Sequence, residues 1–362
     1  MKTSFYEVMT RAVPEEGRPC DIPGVLEKET LSEADFLSLL SESALPFLES
    51  MAQKARELTI RHFGRVISLY APLYLSNYCD NECLYCGFNR KNMIRRKTLS
   101  LEELKREAGQ IRGMGIQHLL LLTGDSRSHS PLSYIQECVG FLKTIFSSIS
   151  VEIYPLETEE YRQLAACGVD GLTLYQETYD EKLYAALHVS GPKRDYRFRL
   201  EGPERGCRAG LRQVNIGALL GLGDLRREIF FLGRHARWLQ HCYPDVETGI
   251  SLPRLKRHEG IVFEGRTVSD REFVQMMLAL RLFLPQGPLA ISTREPYDFR
   301  RRLIGLGVTR MSAGSSTQVG GYGSGEKTEG QFEIQDKSSV EDIKRMIAEK
   351  GYQAVLKDWQ PL

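Results

Sequence analysis

The sequence predicts an α/β protein built as a (β/α)8 barrel of the TIM type, with a helical arm before the barrel and a short helix after it. Three observations predict this fold. Short aliphatic segments alternate with amphipathic segments from residue 66 onward. Eight such segments occur, which is the number that closes a barrel of parallel strands. Polar residues collect where these segments end. An open, doubly wound sheet is the alternative that the same pattern permits.

The predicted strands are short and rich in aliphatic and β-branched residues, as expected for parallel strands that are buried on both faces. They cover Val66–Leu75, His118–Thr123, Val151–Tyr154, Gly171–Tyr175, Val214–Leu220, Glu247–Leu252, Leu289–Ser292 and Val308–Met311. Amphipathic patterns between the strands predict helices. These helices cover Leu101–Met114, Glu159–Cys167, Leu225–His241 and Asp270–Leu284.

The segments on either side of the barrel are predicted to be helical. In the first, apolar residues recur at helical spacing after the N-cap Ser32, and the last helix covers Val340–Lys350. The glycine- and serine-rich stretch Ser312–Gly325 is typical of a mobile or ligand-wrapping loop. We therefore divide the chain into an N-terminal helical extension, the barrel and a C-terminal helical tail packed on the barrel, with the bounds 1–62, 63–325 and 326–362.

Composition and charge exclude several classes of function. The 362 residues carry 48 Lys and Arg against 47 Asp and Glu, so no global field favours nucleic acid or an anionic membrane. The densest basic stretch, Arg90 to Lys97, has no interleaved aromatic residues and predicts a solvated loop. No apolar run approaches the roughly 20 residues of a membrane helix. The first residues lack the apolar core of a secretion signal, so we expect a cytoplasmic protein.

The strongest chemical signal is the stretch YLSNYCDNECLYCGF, which holds Cys79, Cys83 and Cys86. Cysteine thiolates hold iron–sulfur clusters. Three of them can bind three irons of a [4Fe–4S] cubane and leave the fourth iron open to the amino and carboxylate groups of S-adenosylmethionine. The alternatives are a structural zinc site, which normally takes four ligands in paired spacings, and three free thiols.

This cysteine pattern, with the aromatic Tyr85 before the last cysteine, resembles the signature of the radical S-adenosylmethionine superfamily. Four further segments follow in order: HLLLLTGD, LYQETY, STREP and SAGSSTQVGGY. Together, from about Leu73 to the closing VLKDW, they resemble the 2-iminoacetate synthase family, the tyrosine lyases of thiamine thiazole biosynthesis. The resemblance implies a radical S-adenosylmethionine barrel that binds a [4Fe–4S] cluster and S-adenosylmethionine.

The resemblance also assigns residues to the cofactor. Tyr85 is similar to the aromatic residue whose backbone contacts the adenine, and Gly124 with Asp125 to the segment that receives the amino group of S-adenosylmethionine. The family usually has Glu in place of Asp125. Glu177 resembles the acid that accepts both ribose hydroxyls, and Arg199 the arginine that faces the methionine carboxylate. The alternatives are that Asp125 caps a helix from a loop, that Glu177 is a surface acid at a strand end, and that Arg199 is a solvated arginine.

At the substrate end the resemblance implies that Arg294 holds the carboxylate of the amino acid, a task suited to the planar fork of arginine. Ser312 would add a hydroxyl donor, and Tyr74 resembles a tyrosine of the substrate pocket. The alternatives are that Arg294 forms an ion pair with Glu295, that Ser312 belongs to a turn, and that Tyr74 lies in the barrel core.

The reaction implied by the resemblance breaks the Cα–Cβ bond of L-tyrosine and gives 2-iminoacetate and p-cresol, with 5′-deoxyadenosine and methionine. The implied partners are a thiazole synthase and an electron donor of the flavodoxin or ferredoxin type. A tryptophan lyase and the hydrogenase-maturation tyrosine lyase are the alternatives. The latter carries cysteines for a second cluster, whereas no cysteine follows Cys242 here. A non-catalytic iron–sulfur binding protein is the alternative of another class.

Overall fold

The computed structural model of the chain describes residues 4–11, 21–256, 263–323 and 328–357. Eight parallel strands close into one barrel, in which each strand pairs with the next and the eighth pairs with the first. The barrel strands are β1 (Val66–Ser76), β2 (His118–Thr123), β3 (Ser148–Glu152), β4 (Gly171–Glu177), β5 (Gln213–Ala218), β6 (Glu247–Ser251), β7 (Leu289–Ile291) and β8 (Arg310–Ser312). The predicted barrel is confirmed, and the open sheet is wrong.

Fourteen α-helices lie within the described ranges. They are α1 (Phe5–Met9), α2 (Ile22–Glu27), α3 (Glu33–Leu40), α4 (Leu48–Phe63), α5 (Leu101–Gly113), α6 (Leu132–Leu142), α7 (Thr158–Cys167), α8 (Glu181–Leu187), α9 (Tyr196–Leu200), α10 (Gly202–Arg208), α11 (Leu225–Cys242), α12 (Asp270–Phe283), α13 (Tyr297–Leu303) and α14 (Val340–Glu349). Ser100, Ser269 and Ser339 begin α5, α12 and α14 with capping boxes. None of these helices is long and apolar enough to cross a membrane.

The strands are buried as their composition predicts. In β2, which reads HLLLLT and begins and ends where predicted, five of the six residues are buried. In β3 the prediction was wrong by several residues, because Ser148 and Ser150 make its first half look polar. Ser150 faces the inside of the barrel, where its Oγ lies 3.3 Å from Nε2 of His118. The barrel interior therefore contains satisfied polar groups below the functional end.

The N-terminal arm covers the outside of the barrel. Phe36 of α3 stacks on Phe283 of α12, with ring centroids 4.1 Å apart. Phe5 of α1 stacks on His235 of α11 at the same distance. Both phenylalanines are fully buried. The arm is thus held by aromatic packing against α11 and α12, and α4 leads directly into β1.

A ninth strand, β9 (Gln353–Val355), was not predicted. It pairs in parallel with residues Val66–Ser68 of β1, whereas β2 pairs with β1 only from Ala71 onward. β9 therefore covers an edge of β1 that β2 leaves open. Three residues are too few to show a strand period, so no pattern in the chain predicts this strand. The boundary predicted at residue 325 lies outside the described residues, and the three-part division stays a prediction.

Candidate active site

One cleft opens at the carboxyl ends of the barrel strands, which is where functional sites lie in this fold. It reaches from the loop after β1 to the ends of β7 and β8. The predicted site residues that line it are Tyr74, Tyr85, Cys86, Glu177, Arg294 and Ser312. Arg199 lies next to this wall, 3.8 Å from Glu177, and Asp125 lies 3.7 Å from Arg199. The structure thus brings the predicted cofactor and substrate residues to one place.

The loop that carries the cysteines is held by its own polar groups. Arg96 donates hydrogen bonds to the carbonyl oxygens of Asn77 (2.6 Å), Phe88 (3.0 Å) and Asn89 (2.6 Å). Nδ2 of Asn77 donates to the carbonyl of Arg95 at 2.8 Å. These bonds tie the two ends of the loop together. The basic stretch is therefore not wholly solvated as predicted, because the guanidinium of Arg96 lies inside the loop.

The three cysteines are reduced and close to the cleft. Cys83 is buried, and Cys79 and Cys86 are partly buried. Burial and, after it, the charge of the nearby Asp125 raise the pKa of the Cys79 thiol to about 12. Metal binding at such thiols has to displace their protons. Within the described ranges, no three His, Cys, Asp or Glu side chains converge on one point suited to a single metal ion. A cubane takes one thiolate per iron and needs no such convergence.

Gly124 and Asp125 join the end of β2 to the cysteine loop. A Cβ atom at Gly124 would overlap the carbonyl oxygen of Tyr78, so only glycine permits this approach. Oδ2 of Asp125 accepts a hydrogen bond from Nδ2 of Asn81 at 3.1 Å and lies 3.7 Å from Nη1 of Arg199. No helix begins beside Asp125, so the helix-capping alternative is wrong.

Glu177 is turned into the cleft by an irregularity of the backbone. It has φ 72°, in the left-handed region, and the β4–β5 register shifts between Tyr175 and Glu177. Its Oε1 lies 2.7 Å from Nζ of Lys193 and 3.8 Å from Nη2 of Arg199. Burial raises the pKa of Glu177, but the two cations outweigh burial and hold that pKa below its ordinary value. The carboxylate is therefore ionised and is not a surface acid.

Arg199 is buried rather than solvated, with 7% of its surface exposed. Its Nε donates to the carbonyl oxygen of Tyr175 at 2.7 Å. The guanidinium thus lies between Asp125 and Glu177, the two acids that the resemblance assigns to the cofactor. The three side chains form one electrostatic unit.

Tyr85 is fixed by a buried histidine. Burial lowers the pKa of His188 to about 3, so the ring is neutral. Nδ1 of His188 lies 2.7 Å from the carbonyl oxygen of Tyr184, which can only accept, so Nδ1 carries the proton. Nε2 consequently accepts the hydrogen bond that the hydroxyl of Tyr85 donates at 2.8 Å. This bond holds Tyr85 between the cysteines and the cleft.

On the opposite side, Arg294 is held by stacking. Its guanidinium carbon lies 3.4 Å from the ring centroid of Phe332. It makes no ion pair within the part of the chain that the structure describes. Glu295 instead pairs with Arg254, whose Nε lies 2.9 and 3.0 Å from the two carboxylate oxygens. The alternative ion pair of Arg294 with Glu295 is therefore wrong.

Ser312 and Tyr74 connect the substrate end to the rest of the cleft. Oγ of Ser312 accepts from the backbone amide of Thr293 at 3.1 Å. The hydroxyl of Tyr74 donates to Oε1 of Gln331 at 2.8 Å, and Nε2 of Gln331 lies 3.9 Å from Sγ of Cys86. Tyr74 therefore belongs to the cleft wall, and Gln331 links it to a cysteine.

The described part of the glycine-rich stretch is anchored. The backbone amides of Tyr322 and Gly323 donate to the carboxylate of Glu107 at 2.8 and 2.7 Å. The hydroxyl of Tyr322 donates to the carbonyl oxygen of Pro72 at 2.8 Å. Residues 324 and 325 of this stretch lie outside the described residues. The anchoring fixes the side of the cleft that follows β8.

The cleft residues that the sequence analysis missed include Lys193, Gln331 and Glu152. Lys193 lies in a 3₁₀ turn between α8 and α9, and Gln331 in an irregular segment before α14. No spacing or motif relates them to the cysteines. Glu152 ends β3, and its position at a predicted strand was the one signal that could have found it.

A closed parallel barrel with a three-cysteine loop after its first strand defines an enzyme of the radical S-adenosylmethionine class. Two family models match the chain: the Radical SAM superfamily over residues 73–231, and the Biotin and Thiamin Synthesis associated domain over residues 251–353. The chain belongs to the 2-iminoacetate synthase family. Membership of the radical S-adenosylmethionine superfamily implies a [4Fe–4S] cluster and S-adenosylmethionine.

The relatives that show this family cover most of the chain. The 2-iminoacetate synthase of Escherichia coli (strain K12) is 40% identical over 340 residues, which are 94% of this chain and 90% of the relative. The enzyme of the same name from Salmonella typhimurium is 39% identical with the same coverage. The crystal structure of the FeFe-hydrogenase maturase HydG from Carboxydothermus hydrogenoformans superimposes with a TM-score of 0.85 and 34% identity, over 92% of this chain and 78% of that chain.

Proposed function

We propose that this protein is a 2-iminoacetate synthase. It breaks the Cα–Cβ bond of L-tyrosine to give 2-iminoacetate and p-cresol, with 5′-deoxyadenosine and methionine as co-products, and the imine serves the thiazole of thiamine. The observation that carries this proposal is a cleft that Cys86, Glu177 and Arg294 all line. The identity of 40% with a 2-iminoacetate synthase over 94% of the chain supports the same activity.

The residues at the cysteine loop fit the cluster. Cys79, Cys83 and Cys86 are reduced thiols on one loop, and the loop is braced by Arg96. We infer that Cys79, Cys83 and Cys86 would hold the cluster through their thiolates and would leave it open to S-adenosylmethionine. When bound, the reduced cluster supplies the electron that splits S-adenosylmethionine and so provides the 5′-deoxyadenosyl radical.

The charged residues beside the loop fit S-adenosylmethionine. Glu177, kept ionised by Lys193, would accept hydrogen bonds from the ribose hydroxyls. Asp125 would accept the amino group and Arg199 would face the methionine carboxylate. Since these side chains already contact one another, they are oriented before the cofactor binds.

At the other side, Arg294 would bind the carboxylate of L-tyrosine through two parallel hydrogen bonds, because its guanidinium has no competing acid among the described residues. Ser312 would add a donor to the same carboxylate. Tyr74 would pack against the bound amino acid, since its hydroxyl is held by Gln331. With its carboxylate fixed, the substrate can present its amino hydrogen toward the cysteine loop.

The partners follow from this chemistry. An electron donor of the flavodoxin or ferredoxin type has to approach the cysteine loop. Met93, fully exposed on this loop, lies between Arg90 and Arg95, a surface that suits a small acidic protein. The imine hydrolyses readily, so we infer direct transfer to a thiazole synthase. Free thiols and a reducible cluster suit the reducing cytoplasm.

The test is an anaerobic assay of the reconstituted and reduced protein with S-adenosylmethionine and either L-tyrosine or L-tryptophan. We expect 5′-deoxyadenosine, p-cresol and glyoxylate, the hydrolysis product of the imine, from L-tyrosine alone. 5′-Deoxyadenosine without p-cresol would retain the radical chemistry and reject this substrate. An intact cluster without any 5′-deoxyadenosine would favour an iron–sulfur protein that is not an enzyme.

A further inference from the structure

Glu152 is an acidic residue of the cleft that has no part in the proposed contacts to S-adenosylmethionine or to the carboxylate of L-tyrosine. It ends β3 and lines the cleft together with Tyr74 and Arg294. Its carboxylate has no hydrogen bond or ion pair with any residue in the described ranges. This contrasts with Asp125 and Glu177, whose carboxylates contact cations and amide groups.

The barrel places Glu152 opposite Arg294. In the strand order β1 to β8, β3 and β7 are separated by three strands on either side, and Arg294 follows β7. The register also gives the height of Glu152, because it pairs with Leu122, which in turn pairs with Tyr74. Glu152 and Tyr74 therefore lie at one level of the cleft, with the arginine on the far wall.

The space between Glu152 and Arg294 suits an aromatic ring. Pro72, Leu120, Leu122 and Leu219 contribute apolar surface to the same cleft. A carboxylate without a partner is costly in such surroundings unless a bound molecule offers it a donor. The cleft thus combines a cation, apolar surface and a carboxylate without a partner among the described residues, which suits a molecule that carries a carboxylate, an apolar part and a hydrogen-bond donor.

The surroundings of Glu152 bring the pKa of its carboxyl close to neutral pH. Burial and, after it, the charge of Glu177 raise its pKa to about 7, although Arg294, Arg199 and Lys193 oppose this rise. A half-ionised acid is a strong acceptor for a weakly acidic hydroxyl. Such an acid also binds this hydroxyl without the full cost of a permanently buried charge.

If L-tyrosine is the substrate, its orientation follows from the two fixed ends. Its carboxylate lies at Arg294, its amino group points to the cysteine loop, and its ring has to cross toward β3. We propose that Glu152 accepts the hydrogen bond of the phenolic hydroxyl and so selects L-tyrosine over L-phenylalanine. This specificity role rests on the proposed function, because it assumes that an aromatic amino acid occupies the cleft.

The test measures binding, so that it does not depend on turnover. The full chain with its cluster and S-adenosylmethionine, without reductant, is titrated by calorimetry with L-tyrosine and L-phenylalanine. The wild-type protein should bind L-tyrosine about 10- to 100-fold more tightly, as one hydrogen bond to a charged group provides. Glu152→Leu should bring this ratio close to one, chiefly by weakening L-tyrosine. Glu152→Gln should lie between, because its amide oxygen still accepts.

Ser150→Ala is the matched control, since Ser150 lies two residues before Glu152 in β3 and faces the same side of the strand. It should leave the ratio unchanged. Iron content and circular dichroism establish that each variant is folded, and Glu152→Gln carries the test if Glu152→Leu is not. Equal losses of affinity for both amino acids would show a structural role and overturn the proposal. So would a wild-type protein that does not discriminate.

The two proposals fail separately. If the wild-type protein forms p-cresol from L-tyrosine while Glu152→Leu keeps the full discrimination, only the role of Glu152 is lost. If no p-cresol forms at all, the proposed function itself is wrong.

Discussion

The charged groups on the two sides of the cleft are held in different ways. On the cofactor side, Asp125, Glu177, Lys193 and Arg199 contact one another or a neighbouring amide at 2.7 to 3.8 Å. On the substrate side, Arg294 is held by an aromatic ring, without an acid from the described residues. The difference supports our proposal that the barrel orients the residues of its cofactor site before the cofactor binds and leaves hydrogen-bonding groups free for the substrate.

The largest effect is expected at the three cysteines that we propose as ligands of the cluster. Cys83→Ala should abolish the [4Fe–4S] cluster and lower 5′-deoxyadenosine formation to background, because three thiolates are needed to hold the cubane. Iron and sulfide analysis and chromatography of the products measure both. Cys207→Ala, at a buried thiol of α10, is the control and should keep the cluster. A full cluster in Cys83→Ala would break the assignment of the ligands.

The next largest effect is expected when Glu177, which contacts Lys193 and Arg199, loses its negative charge. Glu177→Gln should weaken S-adenosylmethionine binding by about 10- to 100-fold, since a charged acceptor becomes neutral and Lys193 loses its partner. Equilibrium dialysis with labelled cofactor gives the affinity. The exposed Glu159→Gln should bind normally. An unchanged affinity in Glu177→Gln would mean that the ion pair is structural only.

A smaller effect is expected at Arg294, and it should concern the substrate instead of S-adenosylmethionine. Arg294→Lys keeps the charge but loses the planar fork, so the KM for L-tyrosine should rise by roughly 10-fold. Binding of S-adenosylmethionine should not change. Arg301→Lys, on the exposed face of α13, should leave both unchanged. If Arg294→Lys weakened both ligands equally, the two sides of the cleft would not be independent.

The smallest effect concerns stability and pH. Since the pKa of Glu152 is raised to about 7 in the folded protein, the folded state binds its proton more tightly than the unfolded state. Its contribution to stability is therefore present at low pH and is lost as the pH rises toward 7. Between pH 5.5 and 8, the thermal midpoint of the wild type should fall a few degrees more than that of Glu152→Gln. Parallel pH profiles of the two proteins would contradict the raised pKa.

Features that are local in the chain were the ones that could be predicted. The three cysteines lie within eight consecutive residues, so their spacing alone indicates a cluster. The apolar run of β2 was found with its bounds. Lys193 could not be found, because only folding brings its turn to Glu177. The position of Glu152 opposite Arg294 depends on the closure of the barrel, which no local pattern contains.

The strand that carries the cysteine loop is completed by the other end of the chain. β1 pairs with β8 and with β9, the last two strands in the described residues. Contacts between such distant segments form late, because the entropy cost of closing a long loop comes before any stabilisation from the contacts. During synthesis on the ribosome, the first half of β1 therefore lacks its neighbours β8 and β9 until those late residues have emerged, although β2 can already pair with the half from Ala71 onward. We therefore expect the barrel around the cysteine loop to close, and the loop to become able to hold a cluster, only after most of the chain has been synthesised.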